Sequence, residues 1–130
     1  MGHVLQSCSI SLKTGGTMIW IVGRCSNVRK VAFYNSTIIT DLVNVIPGIE
    51  LDGNCFRKFC NRFGEEIIED ILIIKKTSNT EFISLKNTFE AIGMSHLKSA
   101  LPKVAAEDKS DIEILLNQGS VKESPILAHI

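Results

Sequence analysis

A covalent catalyst needs a nucleophile, a base beside it and a third group to orient the base. The chain carries three histidines (His3, His96, His129) and four cysteines (Cys8, Cys25, Cys55, Cys60). His96 follows Gly93-Met94-Ser95, which reads as a turn, and a solvent-facing or capping role suits it better than catalysis. Cys55 and Cys60 are five positions apart, a spacing that places them on different faces of a helix and outside the i, i+3 or i+4 separation of a helical zinc pair. Gly15-Gly16 matches neither the phosphate loop nor the dinucleotide fingerprint. The acidic group Glu65, Glu66, Glu69 and Asp70 reads as a solvated helical face rather than a pair of acid and base carboxylates. No catalytic constellation, metal site or cofactor is therefore expected. One charged group does suggest binding: Arg57, Lys58 and Arg62 fall on one face of an expected helix opposite Phe56, Phe59 and Phe63, and such a stripe can contact phosphates.

The elements that would position these residues read as follows. Residues 4–12 alternate weakly, Gly15-Gly16 intervenes, and residues 18–22 form an apolar, β-branched run, which together suggest a hairpin. Residues 23–27 read as a turn and 29–34 as a third strand. Ser36 or Thr37 can cap a helix carrying Ile38, Ile39, Leu42, Val43 and Ile46 and ending at Pro47-Gly48. A second helix is expected from Asp52 or Asn54 to Phe63, because Phe56, Phe59, Cys60 and Phe63 recur at i, i+3, i+4 and i+7 with Gly64 beyond. Residues 65–70 extend it by a turn, and 71–74 have the composition of a buried strand. Residues 77–80 are turn chemistry, and 81–84 return as the partner strand of a hairpin.

A short helix bearing Leu85, Phe89 and Ile92 should stop at Gly93, and Ser95 should cap another carrying Leu97, Ala100 and Leu101. Pro102 disfavours its continuation. Asp108 or Ser110 opens a last element with Ile112, Ile114, Leu115 and Leu116, ending at Gly119. Residues 120–130 read as a loosely held tail in which Ile126, Leu127 and Ile130 can dock. The sum is an α+β domain over residues 1–119: N-terminal hairpin strands, a central amphipathic helix pair, then a hairpin followed by short helices.

Bulk properties narrow the partners. At 130 residues, 45% apolar and 22% charged, the chain can bury a core without disulfide or metal staples. No apolar run approaches the ~18 residues a bilayer requires, and the start lacks the pattern of a secretory signal, so an intracellular location in cytoplasm or nucleus and reduced cysteines are expected. The 14 basic and 14 acidic side chains cancel. They are unevenly placed, with a net charge of +4 over residues 1–63 and −4 over residues 64–130. Only the first half hints at a polyanionic partner.

In the second half, Phe82, Ile92-Gly93, Ala100-Leu101, Val104 and Glu107-Asp108-Lys109 stand in the order found in the N-terminal domain of BRO proteins of insect large-DNA viruses, relatives of prophage antirepressors. The stretch over about residues 71–110 resembles that family. It departs at Lys103, where the family usually has His, and at Pro102, which interrupts the second helix. The resemblance implies DNA binding in transcription regulation, of viral origin.

The expected function is thus a small non-enzymatic DNA-binding or transcription-regulatory domain. Arg57, Lys58, Arg62, Lys86, Lys98 and Lys103 are the expected phosphate contacts, and Ser95 and His96 the contacts to base edges or backbone. The alternative is a protein-interaction module, homodimeric or with another partner, acting through an apolar helix or strand edge.

Overall fold

An isoleucine-rich apolar run organises the molecule. In the computed structural model, which describes residues 1–118, Ile71-Leu72-Ile73-Ile74 lie within β5 (Glu66–Lys76), the central strand of an antiparallel sheet. On one side β5 pairs with β1 (Thr17–Gly23), from Thr17↔Lys75 to Gly23↔Glu69. On the other it pairs with β4 (Ile49–Cys60), from Ile49↔Lys76 to Cys60↔Glu66, with a bulge between Leu51 and Gly53. A smaller ladder joins β2 (Cys25–Val28) to β3 (Val31–Tyr34). Four helices complete the α+β fold: α1 (Gly2–Ser11), α2 (Asn35–Val45), α3 (Lys86–Ala100) and α4 (Lys109–Asn117). Gly119 and the expected tail, with Ile126, Leu127 and Ile130, lie outside the described residues.

Alternation along β5 decides which sheet face is covered. Asp70, Leu72, Ile74 and Lys76 are buried, whereas Ile71 and Ile73 between them stay partly exposed. The inner face packs against Leu5 of α1, Ile39, Leu42 and Val43 of α2, and Leu85, with Phe89 and Ile92 of α3 alongside. A second cluster joins Val31 to Ala100, Val104 and Ile112, with Phe33, Leu101 and Leu116 against it.

Several elements differ from expectation. Residues 4–11 belong to helix α1, with Leu12 as its C-cap, not to a hairpin strand, because its buried stripe is Gly2, Leu5, Gln6 and Ser9, at helical spacing but mostly small or polar. Gly2 is required there, since a Cβ would lie 2.6 Å from Phe89 Cγ. Without a strand at 4–12, β1 pairs with β5 across the chain. The turn expected at 23–27 is instead strand β2, and the reversal falls at Arg29-Lys30, both with positive φ. Non-glycine residues rarely adopt that conformation, so the turn carries no sequence signature. Arg29 is held from outside, by Asp111 at 2.7 Å and Asp108 at 3.3 Å.

The largest correction concerns residues 52–63. They form strand β4 and the turn after it, not the second helix of a central pair, and after Glu65 residues 66–70 are strand rather than helical turn. The helical spacing of the phenylalanines is overridden by eleven registered pairs with the isoleucine-rich β5. Phe56, Phe59 and Phe63 are consequently exposed, at 56%, 43% and 72%.

Residues 81–84 form no strand, so the second expected hairpin is absent; β5 already has a partner on each side. Gln6 Nε2 instead ties the segment down by donating to the Ile83 carbonyl at 2.7 Å. Helix α3 runs through Gly93 without a break, and the two short helices are one. A glycine inside a helix costs only about 1 kcal/mol, which the packing of Phe89 and Ile92 on the core offsets. Helix α2, its stop before Pro47-Gly48, strand 71–74 and helix α4 form where expected. Ser36 does not cap α2, however; its hydroxyl donates to Asp70 at 2.9 Å.

Candidate functional site

Strands β4 and β5 outrun β1. Past Arg24, whose amide donates to the Ile68 carbonyl at 3.0 Å, they continue as a two-stranded ribbon through Phe59↔Ile67 and Cys60↔Glu66. Its turn is ordered by Asn61, whose Oδ1 accepts from the amides of Phe63 (2.9 Å) and Glu65 (3.0 Å), and Gly64 supplies the positive φ. Three arginines lie over three phenylalanines along it: Arg24 on Phe56 (4.9 Å), Arg57 on Phe59 (5.5 Å) and Arg62 on Phe63 (4.6 Å).

The expected phosphate stripe is not assembled. Arg57 and Lys58 are adjacent on a strand, so they point to opposite faces. Each also has a carboxylate: Arg57 Nε donates to Glu69 at 2.6 Å and Lys58 Nζ to Glu66 at 3.3 Å. Arg62 is exposed and has no carboxylate partner among the described residues. The uneven charge of the two halves explains these pairs. Arg24–Asp70, Arg29–Asp111, Arg57–Glu69 and Lys58–Glu66 each join a base from residues 1–63 to an acid from residues 64–130, so folding cancels the dipole of the sequence.

The remaining expected contacts sit elsewhere, on and after α3. Lys86 is its first residue, exposed Ser95 and Lys98 lie within it, and exposed Lys103 lies in the 3-10 turn Leu101–Lys103. Ser95 is inside a continuous helix and caps nothing, because no helix begins there. His96 is turned inward, its Nε2 2.8 Å from Asp41 Oδ2 on α2, and it joins two helices rather than meeting a thiol or presenting a free ring. The four cysteines are free and exposed. Among the described residues, no three histidine, cysteine, aspartate or glutamate side chains converge on a metal-sized point, and no helix is long and apolar enough to cross a membrane.

Two features escaped the sequence. The first is a polar cluster at the root of the ribbon: Arg24 donates to Asp70 Oδ1 through Nε (3.1 Å) and Nη2 (2.9 Å), and Ser36 donates to Oδ2. With Tyr34, Asn54 and Phe56 it lines an open cleft of about 650 Å³. Its lining residues come from five separate elements or junctions, and no local motif links them. The second is the outer face of the sheet. Ile19, Ile21, Ile71, Ile73 and Phe59 share it, with Ile19 64% and Ile21 50% exposed. The alternating pattern of β1 does carry that signal, once its register with β5 is known.

No protein-family model, characterised protein or solved structure matches the chain.

Proposed function

We propose that the protein is an interaction module whose contact surface is the outer face of the three-stranded sheet. The observation that supports it most is the uncovered apolar band of Ile19, Ile21, Ile71, Ile73 and Phe59, on a sheet whose opposite face carries the helices. Exposed apolar surface of this kind, here interrupted only by the Arg57–Glu69 pair between Ile71 and Phe59, is the usual mark of a protein partner. Arg57 on this face is already paired with Glu69, and that pair presents little net field to a polyanion.

The test is capture from cell extract on immobilised protein. Retention of a partner that survives high salt, is lost in Phe59→Lys combined with Ile71→Thr, and persists in Arg62→Glu supports the reading. Retention indifferent to the face substitutions overturns it.

DNA binding, which the likeness to BRO and antirepressor domains implies, is the second reading. It is favoured by Arg62 stacked on Phe63 at the tip of a β-ribbon, without a carboxylate partner among the described residues. Ribbons of this kind enter DNA grooves. Lys98 and Lys103 would then act as separate phosphate contacts. Salt-dependent retention of a duplex near ~50 mM salt, weakened uniformly across sequences by Arg62→Glu, is the expected result. Absence of any retention removes this reading.

A further inference from the structure

Among the described residues the sheet has two unpaired edges, and they are not alike. The β4 edge is interrupted by the bulge at Leu51 and Gly53 and carries Asp52, Arg57 and Lys58. Bulges and charges are the devices that keep an edge from pairing with another chain. The β1 edge, Thr17-Met18-Ile19-Trp20-Ile21-Val22-Gly23, has no charge, no proline and no bulge.

Two hydrogen bonds fix which backbone groups this edge offers. Lys76 N donates to Gly16 O and Arg24 N to Ile68 O, so the even-numbered residues of β1 direct their amides and carbonyls toward β5. Those of Thr17, Ile19, Ile21 and Gly23 point the other way. At Gly23 the carbonyl is already taken, by Asn35 Nδ2 at 2.7 Å. Thr17, Ile19 and Ile21 remain, a segment centred on Ile19.

We propose that this edge pairs antiparallel with the same edge of a second copy of the chain, about a two-fold axis at Ile19. Ile19 then faces its own counterpart and Thr17 faces Ile21. All these residues offer outward backbone groups, so each facing pair exchanges two hydrogen bonds. Met18 faces Trp20 on the inner side. Inner residues meet inner and outer meet outer, which a shift by one residue would destroy. The segment is uncharged, so the two copies meet without like-charge repulsion, and a two-fold contact requires just this self-matching patch. The outer bands of both copies become one surface across a six-stranded sheet. This inference rests on the interaction-module reading and names one partner for it. The paired edge is only about 17 Å long and engages a handful of residues against the usual ~20–30 per partner, and the dimer is accordingly weak and concentration-dependent.

Sedimentation velocity across a concentration series tests it. Ile19→Pro removes an amide that points away from β5, so the sheet's own ladder is kept while the dimer ladder is broken. Ile19→Lys places two ammonium groups opposite each other at the axis, and decides the matter should the proline variant not fold by circular dichroism. The wild type is expected to shift from monomer to dimer with concentration, and both variants to raise the dissociation constant at least about tenfold. Phe59→Lys with Ile71→Thr is expected to leave it unchanged. A wild type that stays monomeric throughout overturns the edge dimer and leaves the sheet-face reading to its capture test. A dimer kept by the Ile19 variants and lost in the face variant also overturns it, and assigns self-association to stacked sheet faces.

Discussion

Lys76 Nζ lies 2.6 Å from the carbonyl oxygen of Ser9 and 3.3 Å from that of Ile10, in the interior, with the lysine 3% exposed. A cation thus closes the C-terminal end of α1, where the helix leaves carbonyls without internal partners. Lys76→Met keeps most of the volume and removes the donor, leaving those carbonyls desolvated and unpaired. A loss of about 1–3 kcal/mol is expected, read as a lower urea midpoint; an unchanged midpoint contradicts this account of α1.

Phe59→Ala should be nearly silent for stability, within about 1 kcal/mol, because the ring lies on the open sheet face. Leu72→Ala, on the covered face of the neighbouring strand, should cost about 2–5 kcal/mol. Thermal unfolding of the two variants side by side checks the assignment of 52–60 as strand, since a helix burying its phenylalanine stripe reverses the order.

That pair of substitutions also marks how far the sequence could be read. Where one periodicity was present, as in α2 with Ile39, Leu42 and Val43, the element and its stop were legible, although it begins at Asn35, ahead of the expected Ser36 or Thr37 cap. In β4 two periods coexist: Phe56, Phe59, Cys60 and Phe63 satisfy the helical one, and nothing local says that an isoleucine-rich strand beyond Gly64 will claim the segment. Helix α1 was hidden for the opposite reason, its inner stripe being glycine, glutamine and serine as much as leucine. The basic cluster was legible as residues but not as a site, because its partners Glu66 and Glu69 are placed by pairing register alone.

Gly2→Ala should destabilise by about 1–3 kcal/mol, the usual cost of overpacking, because the new methyl meets the Phe89 ring. Phe89→Leu in the same chain should recover part of the loss, and a double-mutant cycle on urea midpoints reads the coupling. Additive losses exclude the contact between α1 and α3.

Asp70→Asn should lower stability by about 1–3 kcal/mol, since the carboxylate is largely buried and accepts from both Arg24 and Ser36. Arg24→Met and Asp70→Asn combined should cost less than the sum of the two. Strict additivity in that cycle argues that the root of the ribbon is held by other contacts.

The small cluster that joins Val31 to Ala100, Val104 and Ile112 closes a long stretch of chain and has few members, and the link from Arg29 to Asp108 and Asp111 is its outer clasp. Closing so long a stretch carries an entropic cost that these few contacts offset only narrowly. Helix α4 and the β2–β3 ladder therefore behave as one cooperative unit of lower protection than the sheet. Under native conditions their amides should exchange with solvent deuterium together, ahead of those of β5, so that the molecule opens from this corner while its outer sheet face and β1 edge stay intact.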